Sequence, residues 1–186
     1  KASHGVTLVQ DAGPTIKIGL PHASGTGQRT LSTKTSTSSY RTNRGFTNVV
    51  KQVEGGVQML VVIGSANAPQ RYSFAVSGPA GSKVRVNADG TADLVDRRGF
   101  RLLSAAEPWA HDATGKKVPT RYVAGSDGRS LVQIVDHHRG RLAYPITADP
   151  VWLNKTWAFV QCIFGVGVPI GVAWAMVADP ALWAYF

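Results

Sequence analysis

The sequence predicts a mainly β protein: an antiparallel β-sandwich, with a barrel as the alternative closure, followed by a C-terminal hydrophobic helix or helical hairpin. Three observations carry this expectation. Apolar residues recur with period two over short runs, glycine-bearing turns separate those runs, and the chain from Val151 onward is apolar on nearly every side. Many short strands with such punctuation belong to a sandwich or a barrel. No segment before residue 150 carries the 3.6-residue apolar stripe of an amphipathic helix.

The chain divides into three parts. Residues 1–45 form a Ser-, Thr- and Gly-rich region with short alternating pieces at 6–9 and 15–18. Between them and Phe46, residues 24–43 lack apolar periodicity and read as a long loop or as exposed edge strands, because Thr favours strands while Gly and Ser loosen them. Residues 46–150 form the β-sandwich module. There Val57, Met59, Val61 and Ile63 alternate with Gln58, Leu60 and Val62, and Tyr72, Phe74 and Val76 alternate with Arg71, Ser73 and Ala75. Further strand-like pieces lie at 83–86, 92–95, 100–103, 121–123, 131–135 and 142–146. Turn signals separate them: Asn87-Ala88-Asp89-Gly90, Arg98-Gly99, Asp112 to Gly115, Ser126-Asp127-Gly128 and Arg139-Gly140.

Residues 151–186 are the membrane-seeking or assembly tail. Between Lys155 and Asp179 the chain is uncharged, which is long enough to cross a bilayer, since a span takes roughly 20 apolar residues. Asn154 can cap a helix starting near Lys155. Gly165, Gly167, Pro169 and Gly171 fall in its middle, where they would break a helix in water but are tolerated in lipid. Gly167 and Gly171 form a small-xxx-small pair that lets helices approach closely. The rival geometry is a hairpin of two short helices broken at 165–169, and a third is a tail buried in an assembly. Trp152, Trp157, Trp174, Trp183 and Tyr185 suit an aromatic belt. The expected apolar contacts are Trp157, Phe159, Ile163, Phe164, Val168, Ile170 and Trp174, with Lys155 and Arg139 meeting lipid headgroups.

The chain of 186 residues carries a formal charge of +9, and the tail contributes one Lys and one Asp to it, so the excess lies in the β part. Such an excess favours anionic partners, including envelope polymers and headgroups. Nucleic acid is disfavoured, because the basic residues are dispersed instead of clustered on one face with stacking aromatics. The single cysteine, Cys162, excludes an internal disulfide and a multi-cysteine zinc site.

No catalytic constellation emerges. Asp136-His137-His138 invites a metal, but neighbouring strand residues point to opposite faces and a third ligand at suitable spacing is missing, so a polar turn is expected. Asn87, Asp89 and Asp93 are a fragment of a calcium loop that lacks its closing Glu. There is no G-x-S-x-G elbow, and the acidic residues mostly flank turn glycines, where they stabilise turns. We therefore expect a non-enzymatic chain with no cofactor.

The stretch from Ser65 to Pro150 resembles a β-rich region of secreted and cell-surface actinobacterial proteins. The resemblance is carried by Ala68-Pro69 with Tyr72 and Phe74, by Asp89-Gly90, by Pro108-Trp109-Ala110 with Asp112 and Gly115, and by Tyr144-Pro145-Ile146 with Asp149-Pro150. It covers a little under half of the chain. Similar modules precede variable C-terminal parts, some of them in polymorphic toxins and surface proteins. The resemblance implies an exported, envelope-associated protein whose β module presents its C-terminal segment for membrane insertion or oligomeric assembly. The alternatives are a bacteriocin-like toxin that permeabilises a target membrane, and a structural binding subunit of an extracellular complex. Basic residues ahead of a span favour cytoplasmic retention, so an exported β module implies insertion after export.

Overall fold

A computed structural model describes residues 5–8, 14–22, 26–32, 37–53 and 55–153. Over these residues the protein is mainly β, with two antiparallel sheets and no closed barrel. One sheet runs in the order β1 (Gly5–Leu8), β2 (Ile16–Gly19), β7 (Arg71–Ser77), β13 (Ser130–Val135), β12 (Thr120–Ala124). The other runs β3 (Thr26–Ser32), β4 (Thr37–Thr42), β5 (Phe46–Val53), β6 (Gly56–Ile63), β15 (Val151–Leu153), β10 (Arg101–Ala105), β9 (Ala92–Val95), β8 (Lys83–Val86). Two short strands, β11 (Trp109–His111) and β14 (Ile146–Asp149), pair with each other, and β14 also pairs with β6.

Two strands show how sequence pattern becomes position. In β7 the side chains alternate strictly, with Tyr72, Phe74 and Val76 buried and Arg71, Ser73, Ala75 and Ser77 exposed, as a strand with one wet face requires. In β6 every residue from Val57 to Ile63 is buried. Val57, Met59, Val61 and Ile63 join the core shared with the first sheet, while Gln58, Leu60 and Val62 are buried on the opposite face. Burial on both faces explains why VQMLVVI reads as an almost continuous apolar run. The core closes between the sheets, where Phe46 meets Tyr72 edge-on at 5.1 Å and Phe74 meets Trp152 at 6.4 Å between ring centroids.

The five anticipated turns all form, and Gly90, Gly99, Gly115, Gly128 and Gly140 take φ between 63° and 89°. This left-handed region costs an L residue steric strain and costs glycine none.

The junction differs from expectation. Val151–Leu153 does not begin the tail: it is a strand lying between β6 and β10, and Trp152 is only 1% exposed. Trp152 is therefore a core residue and not part of an aromatic belt. Its backbone passes so close to Gly56 that a Cβ there would strike the Trp152 carbonyl. Pro150 looks like a domain break in sequence because proline lacks the ladder's N–H. Here β14 and β15 keep one register against β6 across it, and the Met59 amide donates to the Pro150 carbonyl at 3.0 Å. The pair closes with one bond where an antiparallel ladder would otherwise make two.

Three further boundaries move. The piece expected at 142–146 starts as a strand only at Ile146, after Pro145, and runs on to Asp149. Within 24–43, β3 is the edge strand of the larger sheet, whereas β4 lies inside it between β3 and β5 with Thr37 and Tyr40 buried, which corrects the expectation of a loop or exposed edge strands there. Residues 1–45 are thus no separate unit, since β1 and β2 belong to one sheet and β3 and β4 to the other. No helix occurs among the described residues, and none there is long and apolar enough to cross a membrane. The expected tail helix or hairpin lies outside the described residues.

Candidate functional site

The most unusual chemistry of the β region sits at the end of β14, just ahead of β15. Asp149 closes β14, faces Trp109 across the β11–β14 ladder, and is 1% exposed. Gln58 on β6 donates its Nε2 hydrogen to Asp149 Oδ2 at 2.9 Å, while Oδ1 has no hydrogen-bond partner. From the opposite sheet, the Tyr122 hydroxyl donates to the main-chain carbonyl of Asp149 at 3.3 Å. Gln133, the register partner of Tyr122 and 0% exposed, donates to the Thr120 hydroxyl at 3.2 Å and to the Trp109 carbonyl at 3.4 Å. Both sheets thus send polar groups into one buried cluster.

Burial sets the electrostatics of this cluster. Removing a carboxyl from water penalises its charged form, and burial pushes Asp149 up to about 7 despite opposing polar contacts from Gln58 and Trp109. Tyr122 is raised well above the usual phenol value, first by burial and then by the neighbouring Asp149, so its hydroxyl stays a donor at neutral pH. The cluster combines a carboxyl pushed up to about 7, a carboxyl oxygen without a hydrogen bond of its own beside the polar groups of Trp109, and a phenol held on a peptide carbonyl.

A second polar cluster binds the loop before β7. His137, 2% exposed, lies 3.0 Å through Nε2 from the Pro69 carbonyl and 3.0 Å through Nδ1 from the Tyr144 hydroxyl. His138 Nε2 donates to the Ala68 carbonyl at 3.1 Å, and Gln70 donates to Asp136 at 3.1 Å. A carbonyl can only accept, so the ring nitrogen of His137 facing Pro69 carries hydrogen; burial lowers its affinity for a second proton. Contrary to expectation, the two imidazoles do not point to opposite faces. They follow the end of β13, and their rings meet edge-on with centroids 4.4 Å apart. Both nonetheless spend a nitrogen on a loop carbonyl, which makes Asp136-His137-His138 a turn that ties down Ala68-Pro69. Among the described residues no group of three or more His, Cys, Asp or Glu side chains could hold a metal ion.

The acidic turn residues are similarly occupied. Asp112 accepts the Thr114 and Lys116 amides and the Thr114 hydroxyl on Oδ1, and the Ala143 amide on Oδ2. Burial would raise this carboxyl, but these donors together hold it down to about 2. In the calcium-like fragment, Asp89 accepts from Thr91, while Asp93 accepts from Asn87 and Ser104 and pairs with Arg85 at 3.5 Å.

Of the residues expected to meet lipid, Arg139 alone is described. It projects from the turn after β13 with its side chain 87% exposed and pairs with Asp136 at 3.6 Å. Lys155, Trp157, Phe159, Ile163, Phe164, Gly167, Val168, Ile170, Gly171 and Trp174 lie outside the described residues. The Asp149 cluster was missed by sequence reasoning. Its signal was present as two glutamines, Gln58 and Gln133, each inside an apolar strand where a polar residue needs a buried partner.

The chain matches no protein-family model, no curated protein and no solved structure.

Proposed function

We propose that this chain is an exported cell-envelope protein in which a two-sheet sandwich presents the hydrophobic segment beyond Leu153 for membrane insertion or assembly. The observation that supports this reading most is the position of β15. Its three residues pair with β6 on one edge, Trp152 and Leu153 pair with β10 on the other, and Trp152 is buried between the sheets. A segment continuing from such a strand is anchored to the core of its carrier. A sheet edge or a loose terminus would offer no comparable hold.

Charge supports an anionic partner surface. On the exposed face of the smaller sheet, Arg71 and Arg121 flank Ile134 in one cross-strand row, and Lys17 projects from β2. Exposed basic side chains on a surface attract phosphate-rich headgroups and polyanionic wall polymers, and salt weakens that attraction.

The test is co-flotation of the full chain with vesicles containing anionic lipid. The wild-type chain is expected to float with the vesicles, and the double variant Val168→Asp, Ile170→Asp is expected to remain below, because charge within an apolar span costs about 3 kcal/mol per residue. Equal behaviour of the two chains would overturn the reading. Dye release in the same experiment would favour permeabilisation over display.

A further inference from the structure

We propose that the Asp149–Pro150 peptide bond is a self-cleavage site, with Asp149 as nucleophile and Tyr122 as donor to the developing oxyanion. The side chain and the scissile carbonyl belong to one residue, so attack closes a five-membered ring without bringing in another group. Gln58 holds Oδ2 at 2.9 Å, leaving Oδ1 as the unpartnered oxygen. The Tyr122 hydroxyl already lies 3.3 Å from the carbonyl oxygen on which negative charge would collect.

The chemistry balances with one water. Oδ1 of Asp149 bonds to its own main-chain carbonyl carbon, the bond from that carbon to Pro150 N breaks, and the carboxyl proton passes to the departing nitrogen. A cyclic anhydride is left at Asp149 and a secondary amine at Pro150. Water then opens the anhydride to two carboxyl groups, so the net change is hydrolysis of one peptide bond. Proline suits the leaving position because its nitrogen carries no hydrogen. The competing attack of a following amide nitrogen on the side-chain carboxyl is therefore closed.

Protonation favours the step near neutral pH. An exposed aspartate has lost its proton well below pH 7, whereas burial keeps that of Asp149 up to about 7. Among the described groups that contact Asp149, Tyr122 is titratable and remains a neutral donor, while Gln58 and Trp109 carry no charge. The bond also has a telling location. It lies between β14 and β15, so cleavage removes the covalent attachment of everything after Asp149 while the β15 ladders and the buried Trp152 still hold the new terminus in the sheet. This inference does not rest on the membrane reading.

The chain supplies its own comparator, a second Asp-Pro bond at Asp179-Pro180. The folded full chain is incubated at about pH 5 and about pH 8 and followed by intact mass spectrometry, with terminal sequencing of the new amine. Cleavage is expected at Asp149–Pro150 only, about tenfold faster at the lower pH as the neutral carboxyl becomes the dominant form. Tyr122→Phe should slow it by about tenfold or more while the fold persists. Asp149→Asn should abolish it, and in urea the Asp149–Pro150 and Asp179-Pro180 bonds should be cleaved at one common slow rate. Equal cleavage of the two bonds in the folded chain, no cleavage there, or an unchanged rate in Tyr122→Phe would each overturn the proposal.

Discussion

Replacing Asp149 with Asn should alter how stability depends on pH. Asparagine keeps the size of the side chain and an oxygen to accept from Gln58, but it cannot ionise. In the wild type the carboxyl rises from a usual value of 3.8 to about 7 on folding, which corresponds to about 4 kcal/mol at about 1.4 kcal/mol per unit. Because the folded value is the higher one, the folded state binds the extra proton. The contribution is fully present below about pH 4 and is lost as pH rises through about 7. Between about pH 5 and about pH 8 the wild type should lose about 2–3 kcal/mol relative to the variant. Other groups titrate across this range. His22, His111 and His137 are all lowered, first of all by burial, so their contribution is present above the usual histidine value and lost on acidification. They are common to both proteins and cancel in the difference. Urea unfolding followed by tryptophan emission suits the measurement, since Trp152 is buried. With a slope of about 1–3 kcal/mol per molar urea, the midpoint difference should change by about 1–2 M across the range. Parallel wild-type and variant curves would refute the argument that Asp149 is buried with a neutral-range titration.

Three further outcomes follow from the packing. Trp152→Ala should cost about 3–5 kcal/mol in denaturant unfolding, because it empties a buried site against Phe74; an effect below about 1 kcal/mol would mean that the residue belongs to the tail after all. Asp112→Ala should cost about 2–3 kcal/mol by stranding the amides of Thr114, Lys116 and Ala143, and hydrogen exchange at those three amides should accelerate. Tyr144→Phe removes the hydroxyl that lies 3.0 Å from His137 Nδ1 and 3.1 Å from the His137 carbonyl and donates its one hydrogen to either acceptor. It should cost about 1 kcal/mol and shift the His137 imidazole resonances in a pH titration; unshifted resonances would contradict the contact.

How much of this was legible in sequence depends on how local the deciding interaction is. The alternation in β7 and the turns at Gly90, Gly99 and Gly128 are decided within a few residues, and the fold repeats them as written. Strand β15 was not legible, because Val151-Trp152-Leu153 is apolar in either setting and Pro150 suggests a break. Only the open positions between β6 and β10 reveal it as a sheet strand. The same holds for β11, three residues of a loop-like stretch whose pairing partner lies on β14. Most distant is the Asp149 cluster, since Gln58 and Asp149 are 91 residues apart and Tyr122 reaches in from the other sheet. A lone polar residue in an apolar strand signals that a buried partner exists but does not name it.

The central claim, a fixed β region ending at β15 that presents the segment beyond it, is tested most directly by hydrogen exchange on the full chain with and without anionic vesicles. Residues 151–153 should be protected to the same degree in both conditions, while residues 156–178 gain protection only when vesicles are added. Exchange in 156–178 that ignores the vesicles, or rapid exchange at Trp152 and Leu153 in their absence, would contradict the account.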